Sequence, residues 1–293
     1  MRLWEEIVAA QARIQKAIRQ TPVIYSETFS KETGKAVFLK LENLQKAGSF
    51  KIRGAYNKLS HLSPSSKKKG VVAASAGNHA QGVALASSLL GIRATMVMPE
   101  GASLAKQMAT EVKIRPTLAD GIALRSLGEI NFPIVQKYVD DIVTVKEEEI
   151  ASAILMLMER KRVVAEGAGA VPLAALLSRK HQIAAKKVVL VISGGNIDVN
   201  LLDRIIEKGL SETGRIVRFG VLVRDVPGPL AQLSGLIAEN HANILHVIHE
   251  RASRDIPIGL TKVIMVLETR GPDPIRKIRN VLKGTGYPIQ MMS

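Results

Sequence analysis

Cysteine is missing from all 293 residues. Its absence excludes disulfides, thiolate metal sites and cysteine nucleophiles. Aromatic residues reach only 3%, so aliphatic side chains and alanine must fill any core. No apolar run is long enough to span a bilayer. The opening MRLWEEIVAAQARIQKAIRQ is charged throughout and has no apolar signal-peptide centre. The expectation is a soluble, cytoplasmic protein with no membrane partner. Acid is not in excess either: 41 Lys and Arg stand against 26 Asp and Glu, a net charge of +15. The basic residues are scattered, with short clusters such as SSKKKG and ERKR. There is no arginine-rich arm and no interleaving with aromatics, so nucleic acid is not an expected partner. His246 and His249 lie three apart on an expected strand and face opposite sides, so no metal site is expected.

What is present is a hydrophobic fraction of 46% in a chain long enough for two domains. Apolar residues recur at helical spacing from Leu3 to about residue 19, and Thr21-Pro22 stops that helix. Strands are expected at 36–43, 70–75, 93–100, 140–145 and 186–196, the last ending in a glycine turn, with helices between them. One helix opens at SFKIRGAYNKLSHL with Ser49 as N-cap, one follows SAGNHAQG, one covers SLAKQMAT, and KEEEIASAILMLMERKR is amphipathic. Alternating strands and helices predict an α/β fold with a parallel sheet. After a linker at SETGR (211–215) the pattern changes to βαββαβ, a ferredoxin-like unit. The expected domains are 1–213 and 217–293.

The stretch AGSFKIRGAYNKL places Lys51 where a loop enters a helix, between small and apolar residues. A lysine amine reacts with an aldehyde cofactor when it is positioned and able to be uncharged. A solvated lysine beside a helix start is the plainer alternative. Three other segments bear on the choice. SAGNHAQG, EGAGA and ISGGN all lie at strand ends or helix starts, where ligands of parallel sheets bind. Backbone N–H groups in the first can hold a carboxylate or phosphate.

GSFKIRGA, SAGNHAQG, TLADG, EGAGAV and SGGNID, in this order, resemble the pyridoxal-phosphate-dependent threonine dehydratases (threonine ammonia-lyases). The resemblance implies a tryptophan-synthase-β-like fold. RDVPGPLAQLSGLIAENHANIL resembles the ACT domain, an amino-acid-sensing module. Carried over, the resemblance makes Lys51 the Schiff-base lysine and the base at Cα, with Phe50 against the cofactor ring. Ser75, Ala76, Gly77, Asn78 and His79 would form the substrate-carboxylate loop, Asn78 also reaching the cofactor 3-oxygen. Ser193 would bond the pyridine nitrogen, and Glu166 would lie near the ring. Plainer roles stand beside these: His79 as a helix-start residue, Glu166 as a loop carboxylate, Ser193 as a buried turn hydroxyl.

The same resemblance implies elimination of L-threonine to 2-oxobutanoate and ammonia, in isoleucine biosynthesis. Serine dehydratase or racemase activity is the alternative. It also implies a homo-oligomer, dimer or tetramer, and allosteric control by isoleucine or valine. The effector would sit at Asp225, Gly228, Leu230, Asn243 and Ile244. One departure is large. Near residues 111–112 the family carries a long segment that includes its glycine-rich phosphate loop, and this sequence passes over it. A chain truly shortened there would have a crippled cofactor site, leaving a non-catalytic amino-acid-binding protein as a further alternative.

Overall fold

The computed structural model describes residues 2–75, 77–97, 117–123, 131–178, 184–251, 256–287 and 289–292. The expected helix at SLAKQMAT and the junction near 111–112 lie outside them. The chain divides into two compact units, residues 1–201 and 202–293.

The first unit runs α1 (Arg2–Ile14), β1 (Val23–Tyr25), α2 (Glu27–Thr33), β2 (Ala36–Leu41), α3 (Lys51–Ser60), α4 (Pro64–Lys69), β3 (Val71–Ala74), α5 (Asn78–Leu90) and β4 (Ala94–Val97). It continues with α6 (Asn131–Tyr138), α7 (Glu147–Lys161), α8 (Gly167–Leu177) and β5 (Lys187–Ile192), and ends within the first turn of α9 (Val199–Glu212). Helix α1 ends five residues earlier than its periodicity predicts. Gln45 and Lys46 compete for the backbone just beyond it: Arg19 N–H donates to Gln45 Oε1 at 2.7 Å and Lys46 Nζ donates to the Ala17 carbonyl at 2.6 Å.

Strand β2 alternates strictly, burying Val37, Leu39 and Leu41. It pairs antiparallel with β1 and parallel with β5, from Ala36 opposite Lys187 to Leu41 opposite Ile192. Strands β3 and β4 pair parallel, joined by the α5 crossover that parallel pairing needs. Helix α7 carries Glu147, Glu148 and Glu149 in its first turn and Arg160 and Lys161 in its last, opposing its dipole at both ends.

Two expectations fail here. Residues 140–145 form no strand; Ile142 is 72% exposed, and no neighbouring strand among the described residues offers a ladder. Ser49 is not the cap of α3. Phe50 occupies that position without a capping side chain, and Ser49 instead bridges Gly194, its buried hydroxyl lacking a hydrogen-bond partner.

The second unit takes in most of α9, whose helix runs on through Ser211 and Glu212 of the expected linker. It then runs β6 (Ile216–Arg224), α10 (Pro229–Glu239), β7 (Asn243–Glu250), β8 (Leu260–Glu268), α11 (Pro272–Gly284) and β9 (Ile289–Met292). The antiparallel sheet has the order β7-β8-β6-β9, a ferredoxin-like βαββαβ arrangement. Its core closes with Val217, Phe219, Val221 and Val223 of β6 against Leu233 and Ile237 of α10 and Ile278 and Leu282 of α11.

Candidate active site

Lys51 is the first residue of α3 and is half-buried. Its place is fixed from three sides. Phe50 N–H donates to the Ser193 carbonyl at 3.1 Å, and Gly195 N–H donates to the Gly48 carbonyl at 2.9 Å, tying the loop before α3 to the turn after β5. Helix α5 presses on the first turn of α3 through Gly82, where a Cβ would stand 3.1 Å from Ile52 N. Glu42, only 4% exposed, accepts from Arg53 Nε and Nη2, each at 2.8 Å, and from Thr21 Oγ1 at 2.6 Å. Burial alone would raise the Glu42 pKa. The hydrogen bonds from Arg53 and Thr21 and the charges of Arg53 and Lys40 outweigh burial and hold it below the usual carboxylate range.

Facing Lys51 stand Asn78, Glu166 and the turn at Ser193 to Asn196. Asn78 opens α5 and donates through Nδ2 to Glu166 Oε1 at 2.7 Å and Oε2 at 2.9 Å. Glu166 caps the N-terminal end of α8 without a capping bond from its side chain, and its N–H donates to the Gly194 carbonyl at 3.1 Å. Burial pushes the Glu166 carboxyl upward; the Asn78 bond opposes this, Asp120 adds to it and the charge of Lys51 counters it. Asp120 belongs to the TLADG stretch, so that motif reaches the same carboxylate.

Of the expected site residues, Lys51, Asn78 and Glu166 come together, with Phe50 and Ser193 joined beside them by backbone. Phe50 is 44% exposed and Ser193 is half-buried. Ser75 accepts from Gly77 N–H at 3.3 Å before α5, and His79 is exposed in the first turn. Ala76 lies outside the described residues. Gly77 has open space where a Cβ would be, which suits the start of α5 to a carboxylate. Asn196 was not foreseen. It sits three residues after Ser193 in SGGN, and its Nδ2 donates to Asn78 Oδ1 at 2.6 Å. Its position inside a glycine turn was the only signal for it.

In the second unit a cavity of about 360 Å³ is lined by Asp225, Gly228 and Leu230, joined by His249 and Arg251. Arg251 Nε donates to Asp225 Oδ1 at 3.1 Å and Oδ2 at 3.0 Å. Asn243 and Ile244 are not part of it. Register puts Asn243 opposite Glu268, which also faces Ile216, whereas Asp225 follows Arg224, opposite Leu260. Within one domain the two expected effector loops therefore lie at opposite ends of the sheet, about 25 Å apart; the expectation has them meet where two such domains pair.

A lysine at a helix start, an amide donor beside it and a hydroxyl at a strand end, on an α/β frame, define an enzyme built for an aldehyde cofactor. A family model described as pyridoxal-phosphate-dependent enzyme matches residues 14–112 and 104–194, and the chain belongs to that family. The L-threonine ammonia-lyase of Thermotoga maritima is 38% identical, covering 98% of this chain and 99% of that protein. The L-threonine ammonia-lyase of Geobacter sulfurreducens is 34% identical with 98% of each covered. Among solved structures, a threonine deaminase from T.th. superposes with TM-score 0.58 at 29% identity, over 66% of this chain and 98% of that one. Maize serine racemase gives TM-score 0.61 at 26% identity, over 70% and 98%. The Thermotoga comparison runs over 397 positions against the 293 residues here, so at least 104 positions belong to the relative alone. The family match breaks into its two stretches at 104–112, the place of the expected missing segment.

The described residues fit the aldehyde and ring of pyridoxal phosphate through Lys51, Asn78 and Ser193. They offer no cradle for its phosphate. Three glycines, at the start of α8 and in the turn after β5, are spent on close packing: a Cβ on Gly169 would stand 2.6 Å from the Gly194 carbonyl, on Gly195 2.8 Å from the Val164 carbonyl, and on Gly194 2.8 Å from Glu166 Cδ.

Proposed function

We propose that this chain is a pyridoxal-phosphate-dependent ammonia-lyase converting L-threonine to 2-oxobutanoate and ammonia. The observation that carries it is Lys51 at the start of α3, its preceding loop tied to the Ser193 turn and its charge acting on Glu166, which accepts from Asn78. The 38% and 34% identities to proteins named L-threonine ammonia-lyase support the substrate. The cofactor, when bound, supplies an electron sink that acidifies the substrate Cα. Lys51 binds the cofactor and then takes the Cα proton. The start of α5, from Ser75 to His79, receives the substrate carboxylate. Asn78 and Ser193 orient the ring by hydrogen bonds. One proton leaves Cα and hydroxide leaves Cβ, so water is lost. The released enamine takes that water back and yields ammonia and the oxo acid.

Borohydride reduction of the protein with pyridoxal phosphate, followed by peptide mapping, is expected to label Lys51. Lys51→Ala is expected to abolish ammonia release while the fold persists. Label on another lysine overturns the assignment. Racemisation of serine without net ammonia release would instead favour the activity named for the maize neighbour.

We also propose that residues 217–293 form an ACT domain that binds isoleucine or valine and regulates the enzyme. The βαββαβ order supports this, as does the cavity at Asp225, Gly228 and Leu230. Asp225 suits an α-ammonium group and Arg251 a carboxylate. Titration calorimetry of the full chain is expected to give saturable heat with one branched amino acid. Absence of heat with every branched amino acid refutes it.

A further inference from the structure

Asn196 makes three contacts through one nitrogen. Its Nδ2 donates to Asn78 Oδ1 at 2.6 Å, Gln81 Oε1 at 2.7 Å and the Ala47 carbonyl at 3.1 Å. The Ala47 carbonyl can only accept, which settles the end of the Asn196 amide that faces it. The fit behind it is close: a Cβ on Gly48 would come within 2.9 Å of both Asn196 Cγ and Asn196 Nδ2. Gly48 also has φ 68°, a conformation glycine adopts at no steric cost.

The consequence passes to Asn78. With Oδ1 held by Asn196, its Nδ2 is the end directed at the Glu166 carboxylate. Turning the Asn78 amide over would set Oδ1 against the carboxylate and NH2 against NH2, so both ends oppose the flip. Glu166 is 7% exposed, which strengthens that preference. The order Asn196, Asn78, Glu166 is thus a relay of fixed polarity. It ends at the Glu166 carboxylate, which accepts from the Asn78 NH2 group.

We infer that Asn196 is a positioning residue: it sets the polarity of the Asn78 amide and so presents a hydrogen-bond donor to the cofactor ring. This rests on the reading that the ring sits between Lys51 and Asn78, and it adds the residue that aims the donor.

The test uses full-length Asn196→Ala, Asn196→Asp, Glu166→Gln and the double variant Asn196→Asp/Glu166→Gln, with the parent. In Asn196→Ala the Asn78 donor is no longer aimed. Affinity for pyridoxal phosphate, read from the visible absorbance of the lysine-bound cofactor, is expected to fall about tenfold or more, the loss of one charge-assisted bond. In the cofactor-free protein the Glu166 carboxyl, followed by 13C NMR, is expected to titrate higher than in the parent, because its Asn78 donor is less held. The double variant reverses the relay: the new carboxylate at position 196 accepts from Asn78 Nδ2, and the new amide at position 166 donates to Asn78 Oδ1. Its melting temperature is expected to recover relative to Asn196→Asp alone, while cofactor affinity stays below that of Glu166→Gln.

Parent-like affinity and an unmoved Glu166 titration in Asn196→Ala overturn the inference. So does a double variant whose affinity recovers together with its melting temperature, since that makes Asn196 structural only. If the parent itself shows no lysine-bound cofactor, the proposed function fails first, and the Glu166 titration still decides the relay.

Discussion

Arg53→Leu tests how firmly the start of α3, and with it Lys51, is anchored. Glu42 is 4% exposed and receives two bonds from Arg53 at 2.8 Å, one from Thr21 at 2.6 Å and the charge of Lys40 at 3.6 Å. Removing one partner of a fully buried pair costs about 3–5 kcal/mol. The Arg53 side chain is 30% exposed and that of Lys40 27%, so water and Lys40 recover part of the loss. About 2–3 kcal/mol is expected. For a unit of 201 residues this lowers the melting temperature by roughly 4–12 °C.

The pH dependence carries the sharper sign. In the parent the folded pKa of Glu42 lies below its unfolded value, about 4.3. The stabilisation is therefore full above that value and is lost as the pH falls through the folded pKa. Without Arg53 its largest opponent is gone and burial takes over, so the folded pKa rises above the unfolded one. The variant then loses stability as pH rises above about 4.3. The gap in melting temperature between parent and variant must widen from about pH 4 to neutrality. Circular dichroism melts of the cofactor-free proteins across that range measure it. A gap that is constant with pH, or under about 2 °C at neutrality, refutes the anchoring role. The yield of borohydride-trapped cofactor on Lys51 is expected to fall in the same variant.

Gly169→Ala would place a Cβ 2.6 Å from the Gly194 carbonyl. It is expected to cost about 1–3 kcal/mol and to weaken the cofactor absorbance by moving the Ser193 turn; a parent-like melt refutes the packing. A phosphate held by several charge-assisted bonds, about 1.5–3 kcal/mol each, would make pyridoxal phosphate bind at least about a hundredfold tighter than pyridoxal. With no cradle among the described residues, affinities within about tenfold of each other are expected for a polypeptide of 31.7 kDa. A hundredfold preference at that intact mass refutes this, while a larger intact mass would show that the purified polypeptide carries residues beyond these 293.

Local pattern was enough for much of the frame. Strand β2 was legible because Val37, Leu39 and Leu41 alternate, and α7 because its acidic start and basic end oppose the helix dipole. Lys51, Asn78 and Glu166 were legible as motifs but not as a relay. Asn196, Asn78, Gln81 and Ala47 are brought together by the fold, across as many as 149 residues of chain, and no spacing rule contains that. The Glu42 and Arg53 pair escaped for the same reason: a charged residue in sequence reads as solvated until its partner is placed. The two expected effector loops lie at opposite ends of one sheet, so the expectation that they meet concerns an interface between paired ACT domains.

The failed strand at 140–145 and the absence of a phosphate cradle among the described residues share a physical cause. A β-strand is defined by its neighbour, and alternation in DDIVTV specifies only which faces would be buried if a neighbour existed. The Thermotoga relative carries at least 104 positions that this chain passes over. Elsewhere in the same unit, strand residues that read as core are uncovered: Val72 is 73% exposed, Val97 53%, Val189 58% and Val191 45%. Exposed valines on these strands match the composition of a parallel sheet covered on both faces, and residues 140–145 carry a strand's apolar pattern without its partner. The motifs around Lys51 come from the two flanking stretches and stay assembled, because they rest on the contacts of α3, α5, α8 and the turn after β5. Chemistry at the lysine and recognition of the phosphate are thus separable here, and the comparison of pyridoxal with its phosphate measures that separation.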